Sequence, residues 1–175
     1  LALNSFTVNT KQLKLLEKQL ENAGPDIIKK AQRELKQVAN ETLQQAIILA
    51  PVDKGALRQN MAIEAVDENE YKIGNNKDYA AFVEFGTGVR TYIPKDFKKL
   101  AAKFKGKTGE SWENGLEEIK KWCRNKGIPD EAAYPIFVTI LNKGIYANPF
   151  LWPSFKFGRA ELIAKITALL KDLKK

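Results

Sequence analysis

Between Asp26 and Leu49 the apolar or small residues Ile28, Ala31, Leu35, Val38, Thr42, Gln45 or Ala46, and Leu49 recur at alternating steps of three and four. A helix gathers such positions onto one side, so the stretch predicts a long amphipathic helix with one face for a core. Pro25 suits its first turn and Pro51 stops it. Upstream, Leu13, Leu16 and Leu20 predict a shorter helix over 10–22, with Thr10 placed to cap it. The break at Ala23-Gly24-Pro25 makes two helices the simplest reading, and one long kinked helix the alternative.

After the long helix the pattern changes period. Ala62-Ile63-Glu64-Ala65-Val66, the polar Asp67-Glu68-Asn69 and Tyr71-Lys72-Ile73-Gly74 predict a short β-hairpin, with Ile63, Tyr71 and Ile73 supplying its apolar face. Asp78 is placed to cap a short helix through Tyr79, Phe82 and Val83 that ends at Gly86; a strand is the alternative there, and the helix is preferred. A lysine-rich stretch over 95–107 and a break at Gly106-Lys107-Thr108-Gly109 precede a predicted helix from Trp112 to Lys126, with Leu116, Ile119 and Cys123 on one face. Further helices are predicted from Pro135 to Asn142, stopped by Gly144, and from about Phe157 to Leu173. The expected class is α+β: a long amino-terminal helix, a small antiparallel sheet or hairpin, a helical insertion and a closing carboxy-terminal helix. The 175 residues, 44% of them hydrophobic, suit one domain, 1–175, with a basic helical insertion at about 89–146.

Composition narrows the chemistry. The chain has no histidine and one cysteine, Cys123. Histidine-ligated zinc, Ser-His and Cys-His catalysis and an all-thiolate zinc site are therefore excluded, and no tight acidic motif stands out for magnesium. No catalytic, cofactor-binding or metal site is expected, and the chain is read as a non-enzyme; a reactive thiol at Cys123, between Trp122 and Arg124, is the one enzymatic alternative. No apolar run approaches the roughly 20 residues that cross a bilayer, and the first residues lack a signal-peptide pattern, so a soluble intracellular product without membrane contact is expected. The net charge of +8 suits nucleic acid or acidic protein surfaces equally.

Three short segments carry more information than the rest. In Ala50-Pro51-Val52-Asp53-Lys54-Gly55-Ala56-Leu57-Arg58, Pro51 ends the helix, Asp53 can cap the next turn, Gly55 relaxes the backbone and Leu57 re-enters the core. In Tyr79-Ala80-Ala81-Phe82-Val83-Glu84-Phe85-Gly86-Thr87-Gly88, a carboxylate sits among aromatic residues. Glu84 is a candidate partner for Arg58, for the backbone or for a neighbouring subunit, because an unpaired buried charge is too costly. Gly86-Thr87-Gly88 superficially suggests a phosphate loop but lacks the glycine, lysine and hydroxyl spacing of one. In Ala147-Asn148-Pro149-Phe150-Leu151-Trp152-Pro153-Ser154-Phe155, two prolines are expected to hold an extended strap whose Phe150, Leu151, Trp152 and Phe155 dock in the core or at a subunit interface.

In this order the segments resemble the tail-completion or neck protein family of tailed bacteriophages, also described as a minor tail component. The family pattern is a long helix, then small-Pro-Val-Asp-x-Gly-x-Leu-Arg, then Tyr-Ala-x-x-Val-Glu-x-Gly-Thr, then Pro-Phe-Leu-x-Pro before a closing helix. Here Ala50 to Arg58, Tyr79 to Thr87 and Pro149 to Pro153 match it. Lys54 stands where Thr is common, and residues 89–146 are longer and more basic than the compact pattern. The resemblance implies a structural virion protein at the head-tail junction of a phage or prophage, present in the host cytoplasm before assembly. It implies tail-terminator and head-tail connector proteins as partners, and a ring, a hexamer in the particle, around a channel where DNA is a further contact.

On this reading Pro51, Asp53, Gly55, Leu57, Arg58, Gly86, Pro149 and Pro153 shape the backbone. Tyr79, Phe82, Glu84, Phe85, Thr87, Phe150 and Trp152 are the expected subunit or partner interface. The competing class is a nucleic-acid-binding protein. Lys95, Lys98, Lys99, Lys103, Lys105 and Lys107, interleaved with Tyr92, Phe97 and Phe104, would contact phosphates, stack on bases or meet an acidic surface.

Overall fold

The computed structural model describes residues 4–5, 18–19, 24–77, 79–90, 92–94 and 112–172. The expected helix over 10–22 lies outside them except for Lys18 and Gln19, which are helical, and so do the Asp78 cap and the 95–107 lysines. Two compact units are present, Leu1–Ala80 with Pro149–Lys175, and Ala81–Asn148.

In the first unit, helix α1 runs Pro25–Leu49 with Pro25 in its first turn, where the missing N–H costs no helical bond. Its buried stripe is Ala31, Val38, Ala39, Thr42 and Ala46. Leu49, read as the last member of that stripe, is exposed instead, because the chain turns away at Ala50, whose backbone is extended. A single turn, α2 (Ala56–Gln59), leads into β2 (Met61–Ala65), and β3 (Tyr71–Asn75) returns antiparallel. The register sets Ile63 opposite Ile73 and Ala65 opposite Tyr71, so the expected apolar residues share one face. A strand not foreseen from the sequence, β1 (Asn4–Ser5), pairs with β3 and gives the sheet order β1-β3-β2. The hairpin turn is an Asx turn, Asn69 N–H donating to Asp67 Oδ1, and Gln32 of α1 donates to Glu68 and Asn69 at its tip.

The closing helix lies against α1 and spans Leu151–Asp172, so it begins six residues before the expected Phe157. The extended strap is thereby corrected. Pro153 is the third helical residue, still in the turn whose N–H groups have no intrahelical partner, so it starts the helix instead of preventing one. Phe150 and Leu151 are buried at this start. Further along, Ile166 meets Ala31, with Leu162, Ile163, Leu169 and Leu170 packed around them. Where the two helices cross, the Cα of Gly158 lies so near Thr42 that an added Cβ would fall 1.9 Å from Oγ1. Lys165 reaches Glu34 across the same pair at 3.1 Å.

In the second unit, α3 (Ala80–Phe85, its first residue shared with the boundary of the other unit) is the expected short helix, followed by a 3-10 turn at Gly88–Arg90. Helix α4 (Trp112–Lys126) packs on α5 (Ala133–Lys143). Phe137 lies over Gly115, and Cys123, Ala133 and Phe137 are buried. Helix α4 ends in a Schellman motif: Ile128 N–H donates to Cys123 O and Gly127 N–H to Arg124 O, with Gly127 left-handed. The closing helix of the first unit, Leu151–Asp172, is α6.

Candidate functional site

The first motif closes the carboxy-terminal end of α1. Helix ends leave carbonyls without intrahelical partners. Arg58 answers this from the following turn: its Nε donates to Ala50 O at 3.1 Å and its Nη2 to Ile48 O at 3.0 Å. The positive charge also sits at the negative end of the helix dipole. Leu57 is buried as expected, and Leu57 O accepts from the buried Asn75 amide at 2.6 Å, which ties the motif to the sheet. The position before α2 is Gly55, with φ of 77°. Held in this way, the motif leaves Ile48 64% and Val52 54% exposed, beside the exposed Leu49. Sequence reasoning assigns the helix end to structure and misses this apolar display.

Tyr79, an expected interface residue, is exposed. Its phenol is held above the ordinary value of 10.0, first by partial burial and then by the nearby Asp53 charge. A raised folded pKa means that this contribution to stability is complete below 10.0 and is lost as pH rises through the folded value. Absorbance titration should therefore find one tyrosine ionising late. Asp53→Asn should lower its midpoint only partly, because burial is the larger cause; a return to the free-phenol midpoint would contradict this account.

The second motif is half of a clasp. Thr87 N–H donates to Ile145 O (2.9 Å), and Ile145 N–H returns a bond to Thr87 Oγ1 (2.8 Å). Asn148 N–H donates to Val83 O (2.8 Å), Ala147 N–H to Arg90 O (3.4 Å), and Arg90 Nη1 to Gly144 O (3.1 Å). The Arg90 guanidinium also lies 4.2 Å from the Tyr146 ring centroid. Segments this close leave no room for side chains. A Cβ on Gly86 would meet Ala147 N at 2.6 Å, and one on Gly144 would meet Thr87 O at 1.9 Å. The Gly86-Thr87-Gly88 loop is thus engaged by residues 144–148 and is not an open phosphate cradle. Sequence reasoning reads Gly144 only as a helix stop; in the Thr87 bond Ile145 is paired across 58 residues, and no local pattern signals that pairing.

The remaining expected interface residues divide by burial. Phe82 and Thr87 are half-buried, whereas Glu84 and Phe85 are buried. In the first unit Phe150 is fully buried and Trp152 half-buried, stacked on Phe155 with ring centroids 5.9 Å apart. Of the backbone-shaping set, Gly86 serves the clasp, Pro51 follows the end of α1, and Pro149 and Pro153 flank the start of α6. Cys123 is inaccessible to substrates in the α4–α5 core, the setting of an inert thiol. Among the described residues, no three His, Cys, Asp or Glu side chains form a metal-holding group, and no helix is long and apolar enough to cross a membrane. Lys95, Lys98, Lys99, Lys103, Lys105 and Lys107 lie outside the described residues.

Residues 14–86 match the family described as Bacteriophage HK97-gp10, putative tail-component. No curated protein and no solved structure matches the chain. The matched span holds α1, the whole first motif, the hairpin and the second motif as far as Gly86, that is, one of the three segments whose order carries the resemblance and most of another. Over that span the chain is similar to the phage tail-component family, and the match supports a structural protein of the phage tail.

Proposed function

We propose that this chain is a structural virion protein of the head-tail junction of a tailed phage or prophage, completing the tail and joining it to connector proteins. The observation that carries the reading is the family match over residues 14–86. The Pro149–Pro153 motif, outside that span, adds the third segment of the resemblance in its expected order. The geometry is consistent with a joint that holds and does not turn over. Arg58 of the first motif donates to the carbonyls at the end of α1, and Ile48, Leu49 and Val52 are exposed there, an arrangement suited to burial against a neighbour. On this reading the protein waits in the host cytoplasm, then enters a ring, a hexamer, between tail terminator and connector, with DNA passing through the channel. Residues 89–146 adapt the shared architecture to this particle.

The test is genetic and structural together. Particles made without the chain should accumulate as filled heads and separate tails, and the wild-type chain supplied in trans should rejoin them. Val52→Asp, at an exposed position, should leave the purified chain folded by circular dichroism yet fail to restore joining. Normal joining in the absence of the chain would refute the proposal.

A further inference from the structure

We infer that the outer face of α5, with the Gly88–Arg90 turn, docks an acidic, apolar segment of another protein. An open groove of about 300 Å³ lies there, lined by Arg90, Pro135, Ile136, Thr139 and Ile140. The spacing of the four α5 residues places them on one stripe of the helix, beside the stripe of Ala133 and Phe137 that is buried. Two large side chains flank Arg90 with little cover from the chain: Val89, next to it in sequence, is 82% exposed, and Tyr146, stacked against it, is 69% exposed. Apolar and aromatic exposure beside a concave surface, with an arginine fixed in place, is the composition of a protein contact.

The charge of the groove selects the occupant. Arg90 is the charged residue of the lining, which holds no Asp or Glu; of the acids in the turn before α5, Asp130 is paired with Arg124 at 3.3 Å and Glu131 is exposed. Lys143 follows Ile136 by seven residues and so projects from the same stripe. Arg90 is oriented in advance by Gly144 O and the Tyr146 ring, so engaging a carboxylate would cost it little further ordering. Arg90 among apolar walls, with Lys143 further along the same stripe, fits a carboxylate flanked by apolar side chains better than the run of phosphates that duplex DNA presents. A second copy docked by the same face would bring Arg90 and Lys143 against their own counterparts, a like-charge arrangement that opposes pairing. This inference rests on residues 81–148 and is independent of the head-tail assignment.

The experiment titrates a short synthetic peptide of alternating Leu or Phe and Asp or Glu, and its twin with Asn and Gln in place of the acids, into the intact isotope-labelled chain. Backbone amide shifts are read by NMR. The acidic peptide should shift Val89, Arg90, Thr139 and Ile140, and the amide twin should bind about tenfold more weakly. Val89→Glu and Thr139→Glu, both at exposed positions, should each weaken the acidic peptide by about tenfold. Tyr134→Glu, on the far flank of α5, should leave binding unchanged. The proposal is overturned if the two peptides bind alike, if neither binds, if duplex DNA shifts these residues in place of the peptide, or if Val89→Glu changes the sedimentation of the chain alone by dissolving a self-contact.

Discussion

Gly144→Ala is expected to destabilise the 81–148 unit by about 3 kcal/mol or more, from two causes that act together. The first is conformational. Gly144 has φ of 79° and ψ of −174°, a region that only glycine occupies without strain. The second is steric: the new Cβ would fall 1.9 Å from Thr87 O and 2.4 Å from Thr87 C, and these are backbone atoms that no rotamer change can move. Relief requires residues 144–148 to lift away from 86–90, which exposes the Thr87, Ile145 and Asn148 amides to exchange. Gly127→Ala is the control, since Gly127 is also left-handed, at φ of 68°, but a Cβ added to it would meet nothing within 4 Å. It should cost only the left-handed backbone penalty, roughly 1–2 kcal/mol. Urea denaturation with residue-resolved hydrogen exchange separates the two; equal losses of stability, or unchanged protection across the clasp, would show that the close approach is not what closes this unit.

The contrast between these two glycines also shows what a sequence can reveal. Gly127 follows a periodic helix and reads as punctuation, because the cause of its conformation is local. Gly144 reads in the same way as the stop for α5, but its greater constraint comes from Thr87, far along the chain. Similarly, the α1 stripe is legible from Ala31 to Ala46 because burial follows helical period there, and it fails at Leu49 because the end of a helix is set by where the next segment turns. The hairpin register follows from alternation and its turn, whereas β1 has two residues and no period of its own. The prolines of the third motif suggest extended backbone when taken alone; position within a helix reverses that reading for Pro153.

The candidate site divides along the same line. The ordered motifs resemble the tail-component family, and the match over residues 14–86 spans the first of them and the second as far as Gly86. Their physical tasks are less visible. The Arg58 guanidinium donates to the Ile48 and Ala50 carbonyls, which have no one-letter signature. Which apolar residues face outward is also hidden, since Ile48 and Val52 differ from core residues only in the direction that the chain gives them.

Gly158→Val should lower the stability of the first unit by about 3 kcal/mol, although valine is the better helix former by a few tenths of a kcal/mol. The cause is the crossing of α1 and α6. Thr42 Oγ1 donates to Val38 O at 2.7 Å, and a Cβ added to Gly158 would meet that hydroxyl and the Thr42 Cβ and Cγ2. Thr42 is branched at Cβ, so rotating its hydroxyl away brings its methyl toward the same space. Any side chain at 158 therefore pushes the helices apart, and separation along α6 thins the packing of Ile166 on Ala31. Gly158→Ala is the milder form: its overlap, costing about 1–3 kcal/mol, is partly offset by about 1 kcal/mol of helix propensity. Thr42→Ala removes Oγ1 and Cγ2 and leaves the Cβ, 3.2 Å from the added methyl, so the double variant Thr42→Ala/Gly158→Ala should be more stable than the sum of the two single changes by about 1 kcal/mol or more. Thermal unfolding of the four chains closes this cycle. Additive losses would mean that Gly158 is required for a reason other than the approach of Thr42, and the account of the crossing would fail.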